Sequence, residues 1–110
     1  MSATARQWTC CRCGVSVSRI DGSQAPLPPS WATAGDGHLC LTCRRERAAE
    51  AGLEAAPADC NNDTKAKARR SGLLEFEVLR APDRADNAIA RACHTSASAV
   101  AAARRAVGRR

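Results

Sequence analysis

Residues 8–14 read WTCCRCG, and residues 40–43 read CLTC. Cys10 and Cys13 have two residues between them, and Cys40 and Cys43 repeat that spacing after an interval of twenty-six residues. Two thiolates at i and i+3 in a tight turn can both reach one ion, each sulfur ~2.3 Å from the metal in a tetrahedral site. Two such turns complete a closed four-sulfur cage. Gly14 follows the first pair and can take φ > 0 as the chain leaves the turn. Cys11 is then a bystander. Pairing it with Cys13 is the competing choice, and it spoils the match to the second turn.

Composition leads one to expect such a brace, metal or disulfide. The chain has 110 residues and seven cysteines, and its aromatics are limited to Trp8, Trp31 and Phe76. Modules below about 40–60 residues with so little bulk seldom hold together on apolar burial alone. Met1–Thr9 is polar where a secretory leader would be apolar, and the Ala-rich C-terminal stretch is broken up by arginines. A cytoplasmic, reducing setting is therefore expected, in which closely spaced cysteines mean metal more often than disulfide. One structural zinc ion held by Cys10, Cys13, Cys40 and Cys43 is the expectation, with iron as the chemical competitor for the same cage. A redox dithiol is the weaker alternative, because nothing around either pair resembles a thioredoxin-type βαβ unit. Cys60 and Cys93 read as ordinary residues, Cys93 on a buried helix face, and His38 as an exposed loop histidine.

Between the pairs, Val15–Ile20 alternates as a half-buried strand does, and Asp21-Gly22-Ser23 signals a turn. Pro26, Pro28 and Pro29 extend the next stretch. Trp31 and residues 34–37 (AGDG) give a second strand and turn leading into Cys40. Residues 44–56 (RRERAAEAGLEAA) favour a helix, ended by Pro57, so the second pair sits at a helix N-terminus where the dipole favours thiolate. This order of knuckle, hairpin, second knuckle and helix resembles a treble-clef zinc finger over roughly residues 8–56. Such fingers serve DNA, RNA and protein binding alike.

The charge divides the chain differently. Residues 1–63 carry six arginines against seven carboxylates, whereas residues 64–110 carry eleven basic groups against Glu75, Glu77, Asp83 and Asp86. The whole excess of +6 lies in the second half, which points to a polyanionic partner. Arg greatly outnumbers Lys, which genome composition would also produce, but that does not account for the thinning of acidic residues in one half.

Residues 57–63 read as a linker. Lys65–Arg80 reads as a helix capped by Thr64 or Asp63, with Gly72 a candidate break or kink. Asp86 is the candidate cap of a short helix in which Ile89, Ala92 and Cys93 share a face. His94-Thr95 interrupts it, and Thr95 or Ser96 caps the next helix, residues 96–107. At 100° per residue, Val100, Ala103 and Val107 fall on one side of that helix. Ser98, Ala101, Ala102, Arg105 and Arg109 fall on the other.

Ile89-Ala90, the turn at His94-Thr95, Ser96 and Val100 together resemble a helix-turn-helix unit over roughly residues 73–107. His94 stands where that motif often places Gly. The resemblance implies that helix 96–107 enters the major groove of double-stranded DNA. Ser96, Ala97, Ser98, Ala101, Ala102, Arg104, Arg105 and Arg109 are its candidate DNA surface. Ala101 or Ala102 would meet a thymine methyl, and Arg105 would grip guanine. Arg104, Arg109 and Arg110, with Lys65, Lys67, Arg69, Arg70 and Arg91, are the candidate phosphate contacts.

The expected fold is thus mainly α with a small zinc-stabilised β-hairpin: a treble-clef-like module over residues 1–56, a linker, and a three-helix helix-turn-helix domain over residues 64–110. The expected function is a sequence-specific DNA-binding regulator of transcription, associated with the nucleoid. A homodimer, RNA polymerase or another transcription protein is a further expected partner; a membrane or a small-molecule substrate is not. The alternative is a zinc-finger adaptor docking on the transcription machinery, with an auxiliary basic half. An enzyme is not expected: paired carboxylates in apolar surroundings and a phosphate-binding Gly loop are both missing from the sequence, and a cage closed by four cysteines leaves no open coordination position.

Overall fold

A computed structural model describes residues 6–19 and 26–108. The described chain contains strands β1 (Arg6–Thr9), β2 (Ser16–Arg19), β3 (Ala32–Ala34) and β4 (Gly37–Leu39). Helices α1 (Leu41–Glu54), α2 (Asn62–Arg80), α3 (Asp86–Ala92) and α4 (Ala97–Gly108) follow. Contacts divide it into two compact units, Met1–Arg44 and Arg45–Arg110. The boundary therefore falls inside α1 and not in the expected linker at 57–63, where Cys60 N–H closes a short turn onto the Pro57 carbonyl at 3.2 Å.

The first unit holds two antiparallel hairpins where one was expected. The alternating stretch after Val15 pairs backward with β1, in the register Trp8↔Val17 and Thr9↔Ser16, and not forward with β3. Thr9 and Ser16 share a hydroxyl hydrogen bond of 2.9 Å across that ladder. In the second hairpin β3 pairs with β4, Ala32 opposite Leu39, around a turn where Gly35 takes φ +58. A parallel bridge between Cys10 and His38, with Cys11 N–H donating to the His38 carbonyl at 2.9 Å, joins the hairpins. Its core is small: Cys10, Leu39, Cys40 and Cys43, backed by Trp31 and Ala34. Asp21-Gly22-Ser23, the expected turn, lies outside the described residues.

In the second unit α2 begins earlier than expected. Asn61, not Thr64 or Asp63, is the cap, its side-chain oxygen accepting the Thr64 N–H at 2.9 Å. The helix runs unbroken through Gly72. A Cβ at Gly72 would stand 2.9 Å from the Gly52 Cα and closer still to the Ala48 carbonyl oxygen, and Gly52 is equally restricted by Ala68 and Gly72. The two glycines therefore let α1 and α2 touch backbone to backbone, and that contact offsets the poor helix propensity of Gly.

Leu74 and Val78 of α2, Ile89, Ala90 and Cys93 of the α3 region, and Val100 of α4 form the core, with Leu73, Ala99 and Ala103 against it. Ile89 and Val100 are fully buried. The link from α3 to α4 closes with Thr95 N–H on the Ala90 carbonyl at 2.9 Å and His94 N–H on the Arg91 carbonyl at 3.4 Å, while His94 takes φ 55. This is the left-handed helix ending in which Gly is usual and His is tolerated. Ser96 then caps α4, its hydroxyl accepting the Ala99 N–H at 3.2 Å. Asp86 is not a cap: Ala85 holds that position without a side-chain bond, and the Asp86 carboxylate is occupied elsewhere.

Candidate metal centre and basic helical surface

Each cysteine pair is positioned by a different local device. Cys10 directly follows β1 and Cys13 lies in the turn after it, closed by Gly14 N–H on the Cys10 carbonyl at 3.0 Å with Gly14 at φ +80. Cys40 precedes α1 and Cys43 is in its first turn, with Arg44 N–H on the Cys40 carbonyl at 3.0 Å. Arg44 also donates to the Ser30 carbonyl at 2.7 Å, tying the start of the helix to the loop before β3.

The four sulfurs of Cys10, Cys13, Cys40 and Cys43 all lie within 4.8 Å of one another. Cys13 Sγ and Cys40 Sγ are 3.7 Å apart. The edge of a tetrahedron with ~2.3 Å metal–sulfur bonds is about 3.8 Å, so the cage already has the size of a zinc or iron tetrathiolate. The Cys13 N–H points at Cys10 Sγ from 3.5 Å. Foremost through that amide, and then the amide of Cys40, the Cys10 thiol is held down to about 5. Burial, reinforced by the three sulfurs around it, pushes Cys43 up to about 12. Four thiolates at contact repel one another unless a cation lies among them, and a divalent ion supplies that charge. The donor set, its spacing and its N–H···S support therefore fit one metal ion. Cys11 is exposed and outside the cluster. His38 is not the exposed loop residue expected: it lies on β4, half-buried, with its Nδ1 buried and unpartnered.

On α4 the seam is as expected in kind. Val100 is fully buried, Ala103 packs on the core and Val107 is half-buried. Ser96, Ser98, Ala102 and Arg105 are exposed, and Ala97 and Ala101 are half-buried. Lys67 and Arg70 of α2 line one groove together with Ala102 and Ala106 of α4. Arg91 is exposed on α3, and Lys65 is half-buried. Arg69 stands 3.6 Å from Glu46 in an exposed pair. Arg109 and Arg110 lie outside the described residues.

Arg104 is a correction. It does not stand free for a nucleic acid: its Nε donates to Asp86 at 2.6 Å and its other nitrogens to the Pro82 and Arg84 carbonyls, the first at 2.9 Å. One guanidinium thus fastens α4 to the turn before α3.

Glu77 is the feature that the sequence reading missed. It is fully buried, accepting from Arg45 Nε at 2.6 Å and Arg80 at 2.8 Å, with Arg84 at 3.6 Å. Burial pushes its carboxyl up, but the hydrogen bonds and charges of Arg45 and Arg80 outweigh that and leave it below its usual value. Burial, then the Glu77 charge, raises the neighbouring Cys93 thiol. A clue lay in the spacing: Glu77 follows Leu74 by three residues and precedes Val78, inside the apolar stripe, with Arg80 one turn on. Among the described residues no helix is long and apolar enough to cross a membrane. The chain matches no protein-family model, no curated protein and no solved structure.

Proposed function

We propose that this protein binds double-stranded DNA sequence-specifically, as a regulator of transcription, with α4 in the major groove and zinc in the four-cysteine cage. The observation that carries the reading is the arrangement of α4. One side is fixed by Val100 in the core, and the other presents small residues and Arg105 to solvent, with Arg70 lining the groove at Ala102 and Ala106. Together with the left-handed turn at His94 and the Ser96 cap, this supports a helix-turn-helix of α2, α3 and α4. Small side chains let the helix backbone approach the bases, and Arg105 is the base-reading residue. Arg70 and Arg91 take phosphates, which set affinity without sequence. Arg104 acts from behind, holding α4 at its angle.

The first unit is read as a treble-clef-like finger. Its closed cage is structural, leaving no coordination position for a substrate, so no catalysis is assigned to it. A gel shift of the metal-loaded protein against a pool of random duplexes tests the proposal. A preferred sequence should be retained, and Arg105→Ala should flatten the preference while leaving non-specific binding, since a bidentate arginine–guanine pair discriminates by about 1–3 kcal/mol. A pool recovered without any preference, or one unaffected by Arg105→Ala, overturns it. If instead activity fails only when the exposed side of α1 is altered, the adaptor reading replaces it.

A further inference from the structure

Within the second unit a groove runs between residues 48–57, mostly in α1, and α2. It crosses the backbone contact of Gly52 with Gly72, so its middle is floored by glycine and alanine. The two ends differ. At one, Lys67 stands beside Ala55 and Ala56; at the other, Glu75 stands beside Phe76 and Leu79. Leu79 is 60% exposed, an unusual state for a leucine on a helix whose opposite side is core. Lys67, Ser71 and Glu75 are spaced at i, i+4 and i+8 and so form one ridge of α2.

We propose that this groove is the contact surface for a second copy of the same chain, related by a two-fold axis through the middle of the ridge. An isologous contact matches each end of a surface with the other end of its copy. Here that operation sets Lys67 against Glu75 of the second chain. It also seats the large apolar pair, Phe76 and Leu79, on the small-residue end at Ala55 and Ala56. Charge and bulk are complementary under the one symmetry operation, and a hetero-partner would have no reason to require this antisymmetry of the groove. The dimer stands independently of the DNA-binding reading and is tested without DNA.

The test is sedimentation equilibrium of the full, metal-loaded chain from low to high micromolar protein, with helical circular dichroism confirming that each variant is folded. The wild type should pass from monomer to dimer. Lys67→Glu sets like charges together, and Leu79→Asp removes the apolar knob at an already exposed position. Each should weaken dimerisation by about tenfold or more. Combining Lys67→Glu with Glu75→Lys should restore the dimer. The two positions are eight residues, about 12 Å, apart along one helix, so the rescue has to pass between chains. A wild type that stays monomeric throughout, including one that holds some other protein in this groove, overturns the proposal. So does a dimer indifferent to both single variants, or a double variant no better than Lys67→Glu.

Discussion

Glu77→Gln is the substitution in which burial and charge make the sharpest demand. The amide keeps the shape of the side chain, so no cavity opens, but only one of its two polar atoms can accept. The other becomes a donor facing the Arg45 or Arg80 guanidinium, which also donates. A hydrogen bond to a charged group contributes about 1.5–3 kcal/mol, and removing one partner of a buried ion pair costs about 3–5 kcal/mol. Arg45, Arg80 and Arg84 keep 37%, 23% and 34% of their side chains exposed, so water compensates in part and the lower range applies, about 2–4 kcal/mol. At about 0.05–0.15 kcal/mol per residue, a unit the length of residues 45–110 holds only ~3–10 kcal/mol in total. The midpoint of thermal unfolding should therefore fall by roughly 10–25 °C.

The pH dependence has a definite sign. Glu77 has a lower folded-state value than in the unfolded chain, so its contribution is complete above the ordinary carboxylate value and is lost as pH falls through the depressed folded one. The gap between wild type and Glu77→Gln should be full at neutral pH and close below the usual carboxylate range. Thermal melts at 222 nm measure it, because the long helices of residues 45–110 dominate that signal. A midpoint within a few degrees of wild type at neutral pH, or a gap that widens on acidification, would refute the reasoning.

Gly72→Ala should destabilise the helical unit by about 1–3 kcal/mol in urea titrations although alanine is the better helix former, because its methyl would overlap the α1 backbone. Gly108→Ala, where nothing lies within 4 Å, should be neutral or stabilising by up to about 1 kcal/mol. Trp8 and Trp31 both lie in the first unit and the chain has no Tyr, so chelating the metal should shift tryptophan emission while the helical dichroism persists; simultaneous loss of both signals counts against two separable units. Cys11→Ser should retain one equivalent of metal by elemental analysis, and Cys43→Ser should lose it. Arg104→Ala should cost about 1–2 kcal/mol through its lost contacts with Asp86, Pro82 and Arg84, whereas exposed Arg105→Ala should change stability by less than about 0.5 kcal/mol.

What could be read from the sequence was local. Two C-x2-C turns specify their own geometry within four residues, so the four clustered cysteines, and Cys11 as the odd one out, follow from spacing. The Ser96 cap and the seam at Val100 follow from helical periodicity, which also spans only a turn or two. What could not be read depended on a distant partner. Gly72 looked like a helix breaker because Gly52, twenty residues earlier, is what makes the missing side chain useful. Glu77 enters the sequence reading only as one of four carboxylates in the basic half, because its partner Arg45 lies 32 residues away. Arg104 looked free for the same reason, its acceptors being 18 to 22 residues back. The strand at β1, RQWT, carries little β-pattern of its own, so the following strand was matched with the wrong neighbour. Pro57 is a strong local signal, whereas the contacts that group α1 from Arg45 onward with the second unit are tertiary.

The central claim, that the helical unit presents a basic surface to the DNA backbone, is tested most directly by the salt dependence of duplex binding, followed by fluorescence anisotropy with the metal-loaded chain. Four to six phosphate contacts, drawn from Lys65, Arg69, Arg70, Arg91 and their neighbours, predict that log K falls against log salt with a slope between about −3.5 and −5.5. Arg70→Ala should reduce that slope by about one. A slope near zero, or no binding at low salt, would contradict it.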